Sequence, residues 1–282
     1  MIISSFYKYS KISNPNLFRD KHQKYCNSLK IKGKILIAKE GINGTISGTK
    51  KQIQNYEKNL KKNKLFKDIK FKHTISKIHP FKKTIVRVKK EIVTSGLKVN
   101  LNKKAEYVSP KELNNIIDKQ KDIILLDARN NYESKIGKFK NALTPNIETF
   151  KQFKKIKKDL LKFKNKKIIT YCTGGVRCEK ASAFLKENGF KNVFQLEGGI
   201  LNYIEKFPNK HFEGRCFVFD NRMSIPSSKK SKEISICELC HVNCSHYINC
   251  INVKCDKLFI CCNNCEKKFN HACSKKCKYS FK

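Results

Sequence analysis

A chain of 282 residues has room for about two domains, or three small ones, at roughly 150 residues per domain. Its 62 Lys and Arg against 23 Asp and Glu give a formal charge of +39, which excludes a chain indifferent to polyanions and makes nucleic acid the first partner to weigh. Only six of the 62 are Arg, and Asn and Ile are abundant, so part of the basicity reads as a Lys-rich coding bias spread over a solvated surface. No run approaches the roughly 20 apolar residues that cross a bilayer, and the opening MIISSFYKYS lacks the apolar core of a secretory signal. A cytoplasmic protein with no membrane association is expected. No obligate protein partner is evident.

Residues 1 to 100 carry 25 basic and 5 acidic side chains, a denser surplus than anywhere later in the chain. Their pattern starts with a strand-like SFYKY, passes to a helix-start signal at Asn14-Pro15 and returns to a strand over 34–38, then a second over 45–47. Thr49 with Gln52 forms a capping-box signature, and Ile53, Tyr56 and Leu60 put one apolar stripe on the helix that follows. Two more strands are predicted in IKFKHTI and TIVRVKKEIV. This order suits a small ferredoxin-like α+β domain over 1–100.

A second unit, 105–210, opens with Ser109-Pro110-Lys111-Glu112, where an N-cap hydroxyl, a Pro at the first helical position and an N3 carboxylate coincide. The run 123–126 is predicted as a fully buried strand, Phe150, Phe153, Ile156 and Leu160 as a helix face, and 167–171 as a strand ending at Cys172. A helix over 179–188 stopping at Gly189, and a last strand VFQL before Glu197-Gly198-Gly199, complete an α/β pattern with a parallel sheet covered on both faces. After Phe207-Pro208 the periodicity fades, and SSKKSK over 227–232 reads as a mobile linker. The Cys-rich segment beyond it closes a third unit, 211–282.

Cys172, at the carboxyl end of a parallel strand, is the strongest catalytic candidate. Thr173, Gly174, Gly175 and Val176 let the backbone fold closely around its sulfur, aiming N–H groups and a helix N-terminus at it; with Arg177 these partial charges should favour a thiolate or a bound anion. The span from Cys172 to Arg177 is one residue shorter than the loop of cysteine phosphatases, which favours sulfur-carrying chemistry. Cys178 is an auxiliary thiol, either resolving an oxidised Cys172 or simply packed.

Ten of the 14 Cys fall between Cys237 and Cys277. In a reducing compartment such clustering reads as metal binding, not cross-linking. Cys237, Cys240, Cys244, Cys250, Cys255, Cys262, Cys265, Cys273 and Cys277 are the candidate ligands, enough for two structural zinc ions with one thiol over, and Cys261 stands beside them. The spacing leaves open which pairs combine. His241, His246 and His271 are substitutes.

The combination Asp127-Ala128-Arg129, the Cys172 to Arg177 loop and Glu197-Gly198-Gly199-Ile200 resembles the rhodanese family. That resemblance implies a Cys172 able to carry a persulfide, with Asp127 and Arg129 supporting the loop by pairing. Adding Glu40-Gly41-Ile42-Asn43-Gly44, Tyr171 to Ser182, the segment Phe217-Val218-Phe219-Asp220-x-Arg222-Met223 and the Cys-rich end, virtually the whole chain resembles the bacterial tRNA uridine(34) hydroxylases, the YceA-type rhodanese-domain proteins. The resemblance implies an acylphosphatase-like first domain and oxygen-dependent formation of 5-hydroxyuridine at the tRNA wobble position, with molecular oxygen as cosubstrate and Cys172 as the active-site cysteine. The alternative is a sulfurtransferase delivering persulfide sulfur to tRNA or another acceptor. Basic residues of the first domain would meet phosphates, and Phe6, Tyr7, Tyr9 and Phe81 are candidates for stacking an anticodon base. There is no flavin or nicotinamide fingerprint and no haem motif; the nearest approach to an iron site is His211-Phe212-Glu213.

Overall fold

The computed structural model describes residues 1–119 and 122–280. The first unit runs β1 (Ile2–Tyr9), α1 (Pro15–Ser28), β2 (Lys32–Ala38), β3 (Gly41–Gly48), α2 (Lys50–Lys62), β4 (Phe71–Ile75), β5 (Thr84–Val88). Asn14 accepts from Leu17 N–H to start α1. The Thr49 box is closed at both ends, with Thr49 Oγ1 accepting at 3.3 Å and Gln52 Oε1 at 2.7 Å. The strands form one sheet in the order β4-β1-β3-β2-β5, antiparallel except for β5 beside β2, so the ferredoxin-like arrangement gains a fifth strand. Ile53, Tyr56 and Leu60 pack α2 onto its core.

The central unit holds a parallel sheet, β6 (Glu106–Val108), β10 (Val193–Leu196), β9 (Lys167–Tyr171) and β7 (Ile123–Asp127) in that order. Alternate strand residues point to different cores: Leu126 and Ile168 join one apolar layer, Leu125 and Ile169 the other. The helices over these faces are α3 (Pro110–Asp118), α4 (Asn131–Lys135), α5 (Lys157–Leu160), α6 (Val176–Glu187) and α7 (Gly199–Lys206). Two expectations change. Ile123 and Ile124 are only half-buried because β7 lies at the sheet edge. The helix expected around Phe150 is mostly 3-10 (Phe150–Ile156), with only the short α5 after it; a step of three brings Phe150, Phe153 and Ile156 onto one line of a 3-10 turn.

Past residue 210 the chain does not leave this unit. β11 (Phe212–Phe217) pairs with β8 (Gly137–Phe139) and with β12 (Ser224–Pro226), and Phe212 and Cys216 enter the central core. The stretch read as a mobile linker is anchored at its start: Ser227 is buried, its hydroxyl donating to Gly214 O at 2.8 Å. The Cys-rich end folds as a hairpin of β13 (Tyr247–Asn249) and β14 (Leu258–Ile260) with α8 (Asn263–Lys268) and α9 (Lys275–Tyr279). It packs against α4, where Tyr247 Oη donates to Tyr132 O at 2.9 Å.

Candidate active site

Strand β9 delivers Cys172 fully buried at its carboxyl end. Helix α6 begins three residues earlier than the sequence suggested, because Gly175 takes a φ of +103° and turns the chain directly into it. That turn points the Gly175 N–H at Cys172 Sγ, 3.1 Å away. Burial pushes the Cys172 thiol up, but the adjacent Cys178, the Arg177 guanidinium and the amides of Arg177 and Gly175 outweigh it and hold Cys172 well below an ordinary thiol. Burial, reinforced by the neighbouring Cys172 sulfur, leaves the Cys178 thiol well above its ordinary value, and it sits in the core. Gly198-Gly199 clamps the loop from the far side: Ile200 and Leu201 N–H donate to Cys172 O and Thr173 O at 2.9 and 3.1 Å. A Cβ on Gly199 would lie 2.4 Å from Cys172 O, so this approach requires glycine.

The loop arginine is fixed by a residue that sequence reasoning missed. Glu133 of α4 is fully buried and accepts two bonds from Arg177, at 2.5 and 2.7 Å, and one from Thr173 Oγ1 at 3.2 Å. Burial raises the Glu133 carboxyl; Arg177 and then Arg129 more than reverse this, leaving it lowered. Asp127 and Arg129, expected to support the loop by pairing, pair with each other at 2.7 Å between Nη2 and Oδ2. Arg129 also donates to Gly137 O and Glu133 O, at 2.6 and 3.4 Å, so the pair fixes the backbone that carries Glu133. Neither lines the cavity at Cys172.

The first unit closes over this loop. Tyr7 Oη donates to Glu179 at 3.0 Å, Tyr9 Oη to Val176 O at 3.2 Å, and buried Lys180 meets Glu40 at 2.9 Å and Glu91 at 2.7 Å. Glu40 of the first quoted motif and Lys180 of the second are therefore one contact. Lys72 of β4 donates to Gly174 O and lies over the Tyr7 ring. Burial brings Lys72 down to about 8, partly offset by the Cys172 thiolate. Between the units lies a cavity of about 390 Å³ that reaches Cys172, Thr173, Gly174, Val176 and Arg177, with Lys34, Lys72 and Arg222 in its walls. Of the aromatics expected to stack a base, Phe6 is buried in the first core, Tyr7 and Tyr9 are tied to α6 by their hydroxyls, and Phe81 stands half-buried at the cavity that Tyr7 also lines.

Two groups of four thiols assemble in the Cys-rich end: Cys237, Cys240, Cys262 and Cys265, and Cys250, Cys255, Cys273 and Cys277. Within each, the sulfurs all lie within 4.8 Å of one another. The pairs interleave along the chain, each group taking alternate pairs. Cys244 falls outside both; its sulfur accepts from His246 N–H at 3.3 Å. Cys261 is core, and His246 and His271 pair with Glu266. His211, offered as the nearest iron ligand, instead meets Asp118 at 2.7 Å.

Family models match this arrangement in three parts: the UPF0176 acylphosphatase like domain over residues 1–92, the Rhodanese-like domain over 109–206, and the Rhodanase C-terminal model over 213–278. Proteins named tRNA uridine(34) hydroxylase align with nearly the whole chain. That of Onion yellows phytoplasma (strain OY-M) is 41% identical over 284 residues, spanning 98% of this chain and 92% of the relative. That of Cytophaga hutchinsonii is 41% identical over 276 residues, covering 97% and 88%. That of Bacillus cytotoxicus is 40% identical over 280 residues, covering 97% and 86%. At this identity and coverage, with the cysteine loop, the closing first domain and the Cys-rich end all included, the chain belongs to the tRNA uridine(34) hydroxylase family.

Proposed function

We propose that this protein carries out the oxygen-dependent hydroxylation of the wobble uridine of tRNA to 5-hydroxyuridine, with Cys172 as the reacting thiolate. The observation that carries the reading is the placement of that sulfur: a low-pKa cysteine at the inner end of a cavity walled by a second, basic domain, in a chain of this family. A cavity of this size suits one unstacked ring, as chemistry on a base requires, and excludes a helical stem. Lys34, Lys72 and Arg222 offer cations for the flanking phosphates. The Gly175 amide and α6 hold the negative sulfur, while Glu133 keeps the Arg177 guanidinium beside it. With its substrate in the cytoplasm, the protein belongs there too; among the described residues no helix is long and apolar enough to cross a membrane.

The eight grouped thiols suit Zn²⁺, two ions per chain, because each all-thiolate set of four closes a tetrahedral site with no open position. Bound there, zinc would supply cross-links in a segment that braces Tyr132, next to Glu133. The sulfurtransferase reading draws on the same six-residue cradle, whose amide faces the cysteine sulfur and would equally face a persulfide. Mass analysis of tRNA nucleosides from a deletion strain and a Cys172→Ser strain decides between them. Loss of 5-hydroxyuridine and its derivatives supports the hydroxylase. Loss of a thiolated nucleoside supports the sulfurtransferase and overturns it.

A further inference from the structure

The segment Phe217 to Met223 contributes nothing to the cysteine loop's own hydrogen bonds, yet it is built with care. It forms the tip between β11 and β12, closed by Val218 N–H to Met223 O at 3.0 Å and Met223 N–H to Asp220 O at 2.9 Å. Buried Asp220 grips Arg222 with two bonds, at 2.8 and 2.6 Å, and accepts the Arg222 backbone N–H at 3.0 Å. The tip is also tied to the first domain, through Arg222 to Thr74 Oγ1 at 3.3 Å and Asn221 N–H to Pro80 O at 3.0 Å. A turn fixed this firmly holds out one large apolar group. Phe219 is 59% exposed and is the only exposed Phe among the described residues. Packing alone gives no reason to keep that ring in water.

Its position supplies one. Phe219 lines the same cavity as Cys172, and the Arg177 guanidinium lies 5.7 Å from its ring centroid. The ring edge meets Phe217, with centroids 5.3 Å apart, which fixes its orientation. A flat, preset aromatic surface beside a reactive sulfur, with Lys34, Lys72 and Arg222 around it, has the chemistry of a stacking platform for one base of a single-stranded polyanion. Charge complementarity selects RNA over an apolar peptide as the occupant.

Resting on the functional reading above, we propose that Phe219 is a substrate-positioning residue: base 34, turned out of the anticodon stack, lies against its ring and is thereby presented to Cys172. The Asp220–Arg222 pair holds the platform rigid, so ordering cost is met on folding and not on binding.

The test is a double-mutant cycle on the full-length protein, with tRNA carrying uridine 34 or an abasic residue at 34, measuring Kd and, for the uridine tRNA, KM and kcat. Phe219→Ala should weaken binding of the uridine tRNA by about 5- to 100-fold, the range that base–aromatic stacking gives. It should do so through KM more than through the thiol's alkylation rate. Phe219→Trp should restore affinity, which loss of folding would not allow. With abasic tRNA, Phe219→Ala should cost nothing further. Equal losses with both tRNAs would overturn the stacking assignment while leaving the hydroxylase reading standing. A wild-type protein that forms no 5-hydroxyuridine and is indifferent to base 34 would overturn both.

Discussion

Replacing Glu133 by Gln tests the internal frame of the site without touching the cysteine. In the wild type two guanidinium N–H groups of Arg177 end on a carboxylate that is fully out of water. The Gln side chain has nearly the same shape but leaves a buried cation facing a neutral amide. Breaking one partner of a buried ion pair costs about 3–5 kcal/mol, and the remaining amide oxygen places this variant near the lower end. At about 2–4 °C per kcal/mol for a chain of this order, the melting midpoint should fall by roughly 6–12 °C. The pH dependence has a definite sign. Glu133 is held below its unfolded value of about 4.3, so its contribution is complete above that pH and lost as pH falls through the lowered native value. The gap between wild type and Glu133→Gln should be widest at neutral pH and close on acidification. Thermal melts across pH, with turnover of tRNA alongside, read both effects. A variant within about 1 kcal/mol of wild type at neutral pH, or a gap that persists unchanged in acid, would refute the account of Arg177 as anchored by this carboxylate.

The remaining predictions use other parts of the molecule. Cys172→Ser should abolish turnover and leave the melting midpoint within a few degrees; alkylation of Cys172 in the wild type should stay fast well below the usual thiol range of about pH 8.5, falling only as the depressed thiolate is protonated. A rate that climbs through the ordinary thiol range would show that the loop does not favour the anion. Lys180→Met strands two carboxylates at the contact between the first domain and α6, and should cost about 3–5 kcal/mol and uncouple the unfolding of the two units in a denaturant titration; a single unshifted transition would count against it. Metal analysis of purified protein should find two zinc ions per chain, one after Cys240→Ser, and still two after Cys244→Ser; loss of metal from the Cys244 variant would contradict the grouping.

Much of the fold was readable because its signals are local. The two expected capping boxes, at Thr49 with Gln52 and at Ser109 with Glu112, depend on residues three apart, and the hydrogen bonds close as the spacing implies. The Cys172 loop was legible for the same reason. Glu133 was not: it reaches Arg177 across 44 residues, and the only hint was the Asn130-to-Glu133 spacing, which signals a helix start and says nothing of a partner. Lys72 was hidden among 62 cations, and its meaning depends on a domain contact no window contains. The thiols were visible as a set, yet chain spacing cannot express that Cys237 and Cys240 join Cys262 and Cys265 across the pair formed by Cys250 and Cys255. Strand β11 escaped because one of its two partners is β8, more than 70 residues earlier.

The first domain rests directly on Gly175 of the cysteine loop. A Cβ at Gly175 would stand 2.9 Å from Tyr7 Oη, and Lys180 of the same helix has both its acidic partners on the other side of the seam. The central fold is thus shaped to its first-domain neighbour at this seam. Cut out over 105–210, it would bare a lysine shaped for burial and lose the wall that closes the cavity at Cys172. The two parts wall one cavity at Cys172, and a change in either reshapes the same space.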